Sequence, residues 1–387
     1  MHSVEHDDRA GGSALAPVRG ALVASDGHDS ALVIARSRQR SLELHRLDPH
    51  ASPRPRVLTG AELRDHVEPM QPLLAVARSG METLFRQVGE AGYVLLLTDP
   101  LGVAVDYMAD PRGEPDLRAA GLILGGRWSE DQEGTCAVGL SAIHRIAITV
   151  HHEEHFRYSS RRLTCSSAPI QSPDGKLLGI LDASALHSPH EKRSQHLVLQ
   201  LLRQTVRMIE GANFLRDYEP YWVLRVSRRR AFLEVAVDGL LAVDDGGTII
   251  SANREFQREW GCEMASLAGC HVEEILDVRF DDLVAGRGRA TDPFAMRFLP
   301  SGQVCFGLAR APRRPRAAVS STSFAPTAED APAAATDREA PERAALVAAL
   351  RENRWNVTRT AARLATCRAT VYRRMQRHGI VPPNRRD

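Results

Sequence analysis

Apolar residues recur at helical spacing early in the chain, turn to strand-like runs after Gly92, and return to helical spacing in the last fifty residues. The pattern predicts a helix from Ala31 to Leu47, ended by the Pro53–Pro55 stretch, and a second helix from Ala61. A third runs from Pro72 to Gly89, with Leu73, Leu74, Ala77, Met81, Leu84, Phe85 and Val88 along one face. YVLLLTD then reads as a buried strand, Asp99-Pro-Leu-Gly as a turn and VAVDYM as its hairpin partner. A short helix around Leu117–Ala120, the segment GGRWSEDQEGT and a small-residue helix from Cys136 to Ala142 follow. IAITV, LTCSSAPI and LLGILDASAL are further strands, the last two joined by a Ser172-Pro-Asp-Gly turn. A long helix from Glu191 to Asn213 closes this unit, its Leu197, Leu201, Val206 and Met208 alternating with Gln, Arg and Glu. Helices bracketing an antiparallel sheet predict an α+β domain.

A smaller unit begins near Phe232. GLLAVDD, Gly246-Gly247 and TIISANREF predict a hairpin leading into a helix, and PFAMRFLP with QVCFGLARAP a later hairpin turning at Ser301-Gly302. From Ala311 to Thr336 the chain is Pro, Ala, Ser and Thr, too poor in apolar surface to order itself, and reads as a linker.

Charge sharpens this division. The chain carries only +2 overall, but residues 338–387 hold twelve arginines against four acids, a local +8. A mildly acidic body with a basic tail suits a sensor joined to a nucleic-acid reader. The polar start MHSVEHDDRAGG has no signal-peptide core, and no run approaches the roughly 18 apolar residues of a membrane helix. Six cysteines over 387 residues are too sparse for a disulfide scaffold. These features predict a cytoplasmic protein without a membrane partner.

The tail carries the most specific motif. Ala345, Leu346, Ala349 and Leu350 form the apolar face of a first helix, with Pro341 early in it. In VTRTAARLATCRATVYRRMQ, Ala361, the Ala365–Cys367 turn and Val371 match the needs of a helix-turn-helix: a small crossing residue, a tight turn and an apolar anchor. Val357, Leu364, Val371, Met375 and Ile380 supply the predicted core. The second helix then presents Arg368, Thr370, Arg373, Arg374 and Arg377 to double-stranded DNA, where arginine binds phosphate or pairs bidentately with guanine.

AARLATCRATVYRRMQRHGI resembles the Fis-type helix-turn-helix that ends bacterial enhancer-binding regulators. Such tails usually turn on Gly-Ile-Ser, where this chain has Ala365-Thr366-Cys367; alanine in a left-handed turn costs about 1 kcal/mol. Upstream, ARSRQRSLELHRLDP, GYVLLLTDPLGVAVDY, WSEDQEGTCAVGLSA, EEHF and LTCSSAPIQSPDGKLLGILDAS resemble, in that order, the GAF sensor domain of acetoin-catabolism-type sigma-54 activators. VDGLLAVDDGGTIISANREFQREWG resembles the opening of a PAS domain. The family pattern has Asn where Cys136 stands.

The resemblance implies an α+β protein with a GAF-like sensor domain, a PAS-like α/β domain and a small all-α helix-turn-helix domain. The expected organisation is a disordered leader (1–30), N-terminal helices (31–90), the GAF-like domain (91–213), a connecting segment (214–231), the PAS-like domain (232–311), the linker (312–337) and the helix-turn-helix (338–387). It also implies a small-molecule effector, such as an alcohol, diol, ketone or aromatic, with no cofactor.

Family members carry an AAA+ ATPase domain between PAS and tail, and this chain has no place for one. A P-loop needs lysine before Ser or Thr, but Lys176 precedes Leu177 and Lys192 precedes Arg193, and there are no other lysines. The chain is therefore expected not to be an enzyme. It is expected to bind DNA as a homodimer and to act with RNA polymerase, or alternatively to heterodimerise with a full-length, ATPase-containing relative.

Other residues invite sharper readings. HHEEH at 151–155 lacks the H-E-x-x-H spacing of a zincin, so no metal is assigned. His271 has no supporting haem-ligand pattern. Trp128, Cys136, Phe156, Tyr158 and Cys165 are the candidate effector-binding residues, and Cys136 with Cys165 forms a redox pair if the fold unites them; each can equally be core.

Overall fold

The computed structural model describes residues 26–188, 191–233, 239–285, 293–313 and 339–353, and in the tail 355, 360, 363, 371, 374, 375, 378 and 380. Two five-stranded antiparallel sheets and a helical C-terminal unit make up the described chain. Most of the leader and the Ala/Pro-rich linker lie outside the described residues.

In the first domain, α1 (Asp26–Glu43), α2 (Gly60–Val67) and α3 (Gln71–Val88) precede the sheet. Strands β1 (Tyr93–Thr98) and β2 (Ala104–Met108) form the first hairpin, followed by the short helices α4 (Glu114–Ala120), α5 (Glu130–Glu133) and α6 (Ala137–His144). After β3 (Ile148–His151), β4 (Thr164–Gln171) and β5 (Leu177–Ala185) comes the 23-residue helix α7 (Gln195–Asp217). The strand order is β2-β1-β5-β4-β3.

Strand alternation gives this sheet two buried faces. On one, Leu95, Leu97, Leu181 and Ala183 pack beneath α3 and α7 through Leu73, Met81, Leu84, Leu202, Val206 and Ile209. Gly80 permits the close approach of the two helices, since a Cβ there stands 3.1 Å from Ile209. On the other face, Val94, Leu96, Ile148, Val150 and Cys165 pack beneath α6 and the Trp128 loop.

The second domain contains β6 (Trp222–Ser227), β7 (Gly239–Val243) and β8 (Ile249–Ala252), then α8 (Arg254–Trp260), α9 (Met264–Leu267), α10 (Val272–Ile275) and α11 (Phe280–Ala285), then β9 (Phe294–Phe298) and β10 (Gln303–Arg310). Its order is β8-β7-β6-β10-β9, over a core built on Trp222, Phe256, Trp260 and Phe298. Asp244 organises the β7–β8 turn, its Oδ1 accepting from the Gly246 and Thr248 amides at 2.8 Å each. His271 Nε2 lies 3.1 Å from the Gly246 carbonyl, a structural contact bracing this turn.

Two boundaries differ from the sequence reading. Residues 214–231 are not merely a connection: α7 runs to Asp217 and β6 lies between β7 and β10. The arginines that follow WVLRVS disguise a central strand whose residues are mostly buried. Helix α3, placed among separate N-terminal helices, packs directly on the first sheet.

An ion pair attaches α1. Glu130 is buried and takes a bidentate contact from Arg40, Nε to Oε1 and Nη2 to Oε2, both at 2.8 Å. Burial alone would raise the Glu130 pKa; Arg40, Ser37 and His45 reverse this and hold it below the ordinary value. Removing one partner strands the other in a desolvated site, which costs about 2–3 kcal/mol with Arg40 partly exposed. Arg40→Ala and Glu130→Ala are each expected to lower the unfolding free energy measured in urea by that amount, and the double variant by little more than either alone. Additive losses would show that the pair does not couple.

Candidate functional site

The register of the first sheet places Asp182 on β5 opposite Leu96 of β1 and Ser167 of β4, with Ser184 two residues along on the same face. Ser167 Oγ donates to Asp182 Oδ1 at 2.5 Å and Ser184 Oγ donates to Oδ2 at 2.6 Å. Asp182 is 1% exposed, and both serines are fully buried. Among the described residues no arginine or lysine pairs with it. Burial therefore pushes its carboxyl from 3.8 up to about 6, although both hydroxyls favour the ionised form.

Cys165 stands beside Ser184 across the β4–β5 ladder, and Cys136 at the start of α6 belongs to the same cluster. Both are free thiols raised by burial, so both stay protonated at neutral pH and neither offers a thiolate for redox exchange. Cys136 Sγ donates to the Trp128 carbonyl at 3.3 Å. Trp128 is itself buried, and its indole N–H donates to the Gly121 carbonyl at 3.1 Å. On the outer side of this loop, Trp128, Glu130, Gly139 and Ile143 help line a cleft of about 240 Å³.

Phe156 is buried against Gly134, whose φ of +68° and 2.6 Å clearance to the ring leave no room for a side chain. Tyr158 does not join this core. It is 42% exposed, edge-on to His50 and covered by the Arg161 guanidinium at 3.7 Å. Its polar neighbours RYSSRR keep it in a surface turn, which the aromatic count could not show. HHEEH also forms a turn: Glu154 accepts from the His151 amide at 2.9 Å and pairs with Lys192 at 2.6 Å. His155 is buried and held neutral, its pKa pushed by burial to about 4.

Sequence reasoning missed Asp182, Ser167 and Ser184. The signal was present, since LLGILDASAL carries one acid inside an otherwise apolar strand.

The C-terminal unit begins with α12 (Glu339–Glu352), whose Leu346 and Leu350 pack with Val371, Met375 and Ile380. Arg374 is exposed. Arg368, Thr370, Arg373 and Arg377 lie outside the described residues, as do Val357, Ala361, Leu364 and the Ala365–Cys367 turn. Arg363 pairs with Glu352 at 2.6 Å and Arg343 Nε donates to the His378 carbonyl at 3.2 Å, tying the two ends of the unit together.

Comparison with known families agrees with this architecture. A GAF domain matches residues 72–212, a PAS domain 228–297 and a Fis-family bacterial regulatory domain 338–378. The chain therefore combines GAF, PAS and Fis-type helix-turn-helix domains in an α+β protein. It is 40% identical over 261 residues to the acetoin catabolism regulatory protein of Cupriavidus necator, covering 66% of this chain and 39% of that protein. It is 30% identical over 162 residues to the acetoin dehydrogenase operon transcriptional activator of Bacillus subtilis, covering 40% and 27%. The chain thus spans well under half the length of these curated relatives. The structure of the Escherichia coli DhaR(N)–DhaL complex aligns with a TM-score of 0.43 at 18% identity, over 73% of this chain and 99% of that one. No described helix is long and apolar enough to cross a membrane.

Asp182 yields a stability test. Its folded pKa lies above the unfolded value, so its stability penalty is absent below about pH 4, grows as the unfolded chain ionises first, and is complete above about pH 6. Asp182→Asn is expected to stabilise the protein by about 2–3 kcal/mol at pH 7.5 and by almost nothing at pH 4. Urea unfolding at both values checks this, and a difference independent of pH would assign the effect to shape rather than charge.

Proposed function

We propose that this chain is an effector-responsive, sequence-specific DNA-binding transcriptional regulator that works without an ATPase of its own. The observation that carries this reading is the Fis-family match over residues 338–378 joined to a GAF domain whose buried carboxylate is held by hydroxyls and, among the described residues, by no cation. The effector is a small molecule that enters beneath the Trp128 loop and α6. Asp182, Ser167 and Ser184 anchor its polar end, with Cys136, Cys165 and Trp128 beside it. An ionised carboxylate only accepts hydrogen bonds, so the effector must donate them, which favours a hydroxyl-bearing compound. Of the alcohols, diols, ketones and aromatics that the resemblance implies, this favours the alcohols and diols.

On the output side, Arg368, Thr370, Arg373, Arg374 and Arg377 contact the major groove and its phosphates. A homodimer presents two such helices to paired half-sites. The effector acts by shifting the ensemble of sensor states and so the placement of those helices. A second reading, pairing with a longer ATPase-containing relative, draws on the 40% identity to a protein of which this chain covers only 39%.

Operator selection with the purified chain separates the two, because the first requires specific DNA binding by this protein alone. Arg373→Ala is then expected to weaken binding to the selected site by about 1–3 kcal/mol while affecting random duplex less. Equal losses on both duplexes would make Arg373 a phosphate contact. No sequence preference in the unmodified chain would favour the heterodimer.

A further inference from the structure

A second concavity lies where the two sensor-side domains meet, away from Asp182. Helix α7, β4 and the residue that follows α6 form one wall, and α8 forms the other. The cleft measures about 420 Å³, within the range of small-molecule sites. Five arginines line it: Arg145, Arg203 and Arg207 from the first domain, and Arg254 and Arg258 from the second.

Two carboxylates offset part of that charge. Glu255 pairs with Arg258 along α8. Glu210 accepts from the Gln171 amide at 2.7 Å and is turned into the wall, where burial raises it to about 7 even though Arg254 and Arg258 pull it down. With Arg258 paired and Arg203 engaged elsewhere in the protein, Arg145, Arg207 and Arg254 carry the remaining positive charge from three separate elements, so no single solvated helix face explains it. Holding like charges together costs energy that a bound anion recovers. Arginine's planar fork suits the paired oxygens of phosphate groups.

We propose that this interdomain cleft is a binding site for a small molecule carrying two phosphate groups, held between the arginines of α7 and those of α8. The volume exceeds the needs of a single phosphate, and arginines on both walls suit two anionic groups. The site is independent of the effector reading above. The ligand can be inorganic or a phosphorylated metabolite, since the shared chemistry is the pair of phosphates.

Calorimetric titration of the full chain with inorganic pyrophosphate, and separately with fructose 1,6-bisphosphate, at about 0.15 M salt tests the proposal. Saturable one-site binding is expected, weakened about tenfold by Arg254→Ala from one wall and by Arg145→Asn from the other. Asn tolerates the left-handed conformation that Arg145 adopts (φ 59°). Glu210→Gln is expected to tighten binding several-fold by removing the opposing carboxylate. Thermal melting without ligand confirms that each variant folds. Stronger binding of one probe identifies the ligand source. Binding indifferent to Arg254 and Arg145 would place the anion on the basic tail and overturn the proposal, as would no saturable binding of either probe.

Discussion

Helix α7 is the constraint on which the paired domains depend, because one continuous rod belongs to two hydrophobic cores. Its Leu202, Val206 and Ile209 are buried against the first sheet, while Phe214 and Leu215, with Tyr218 just beyond its end, pack with Val223, Leu240 and Ala242 of the second. Close-packed interiors do not deform continuously, so a shift of α7 at one core must be met at the other. This gives the proposed coupling a physical carrier and makes Gly80, which sets how closely α3 approaches α7, a control point for the whole arrangement.

The first domain treats two of its buried carboxylates in opposite ways. Glu130 receives a bidentate arginine and a serine hydroxyl, and its acidity is increased. Asp182 receives only two hydroxyls, and its acidity is reduced. The first arrangement completes a structural attachment. The second leaves a charged acceptor in the sheet with unspent capacity, which is the property expected of a recognition group.

Much of this was legible in the residues. The period change at Gly92, the Ser172-Pro-Asp-Gly turn and the alternating runs of β9 and β10 located the strands, since each pattern follows from backbone geometry. Strand β6 was obscured because its apolar run precedes arginines, and only pairing with β7 and β10 shows it to be central. Cys136, Trp128 and Cys165 share one core, which their spread along the sequence left open, and Tyr158 lies outside it, because aromatic identity says nothing about which way a loop faces. Asp182 was overlooked for a related reason: a polar residue in a strand is ordinarily exposed, and burial on both faces of this sheet is a tertiary property. The arginines of the interdomain cleft were equally hidden, being spread from Arg145 to Arg258 in sequence.

The second domain is held to the first at two separated places. One is the end of α7, through Phe214 and Tyr218. The other is the β4–β5 turn, where Gln257 Nε2 donates to the Pro173 carbonyl at 2.8 Å. A rigid body pinned at two points retains a single rotation, about the line that joins them. Rocking about that line is the one rigid-body movement that would strain neither contact.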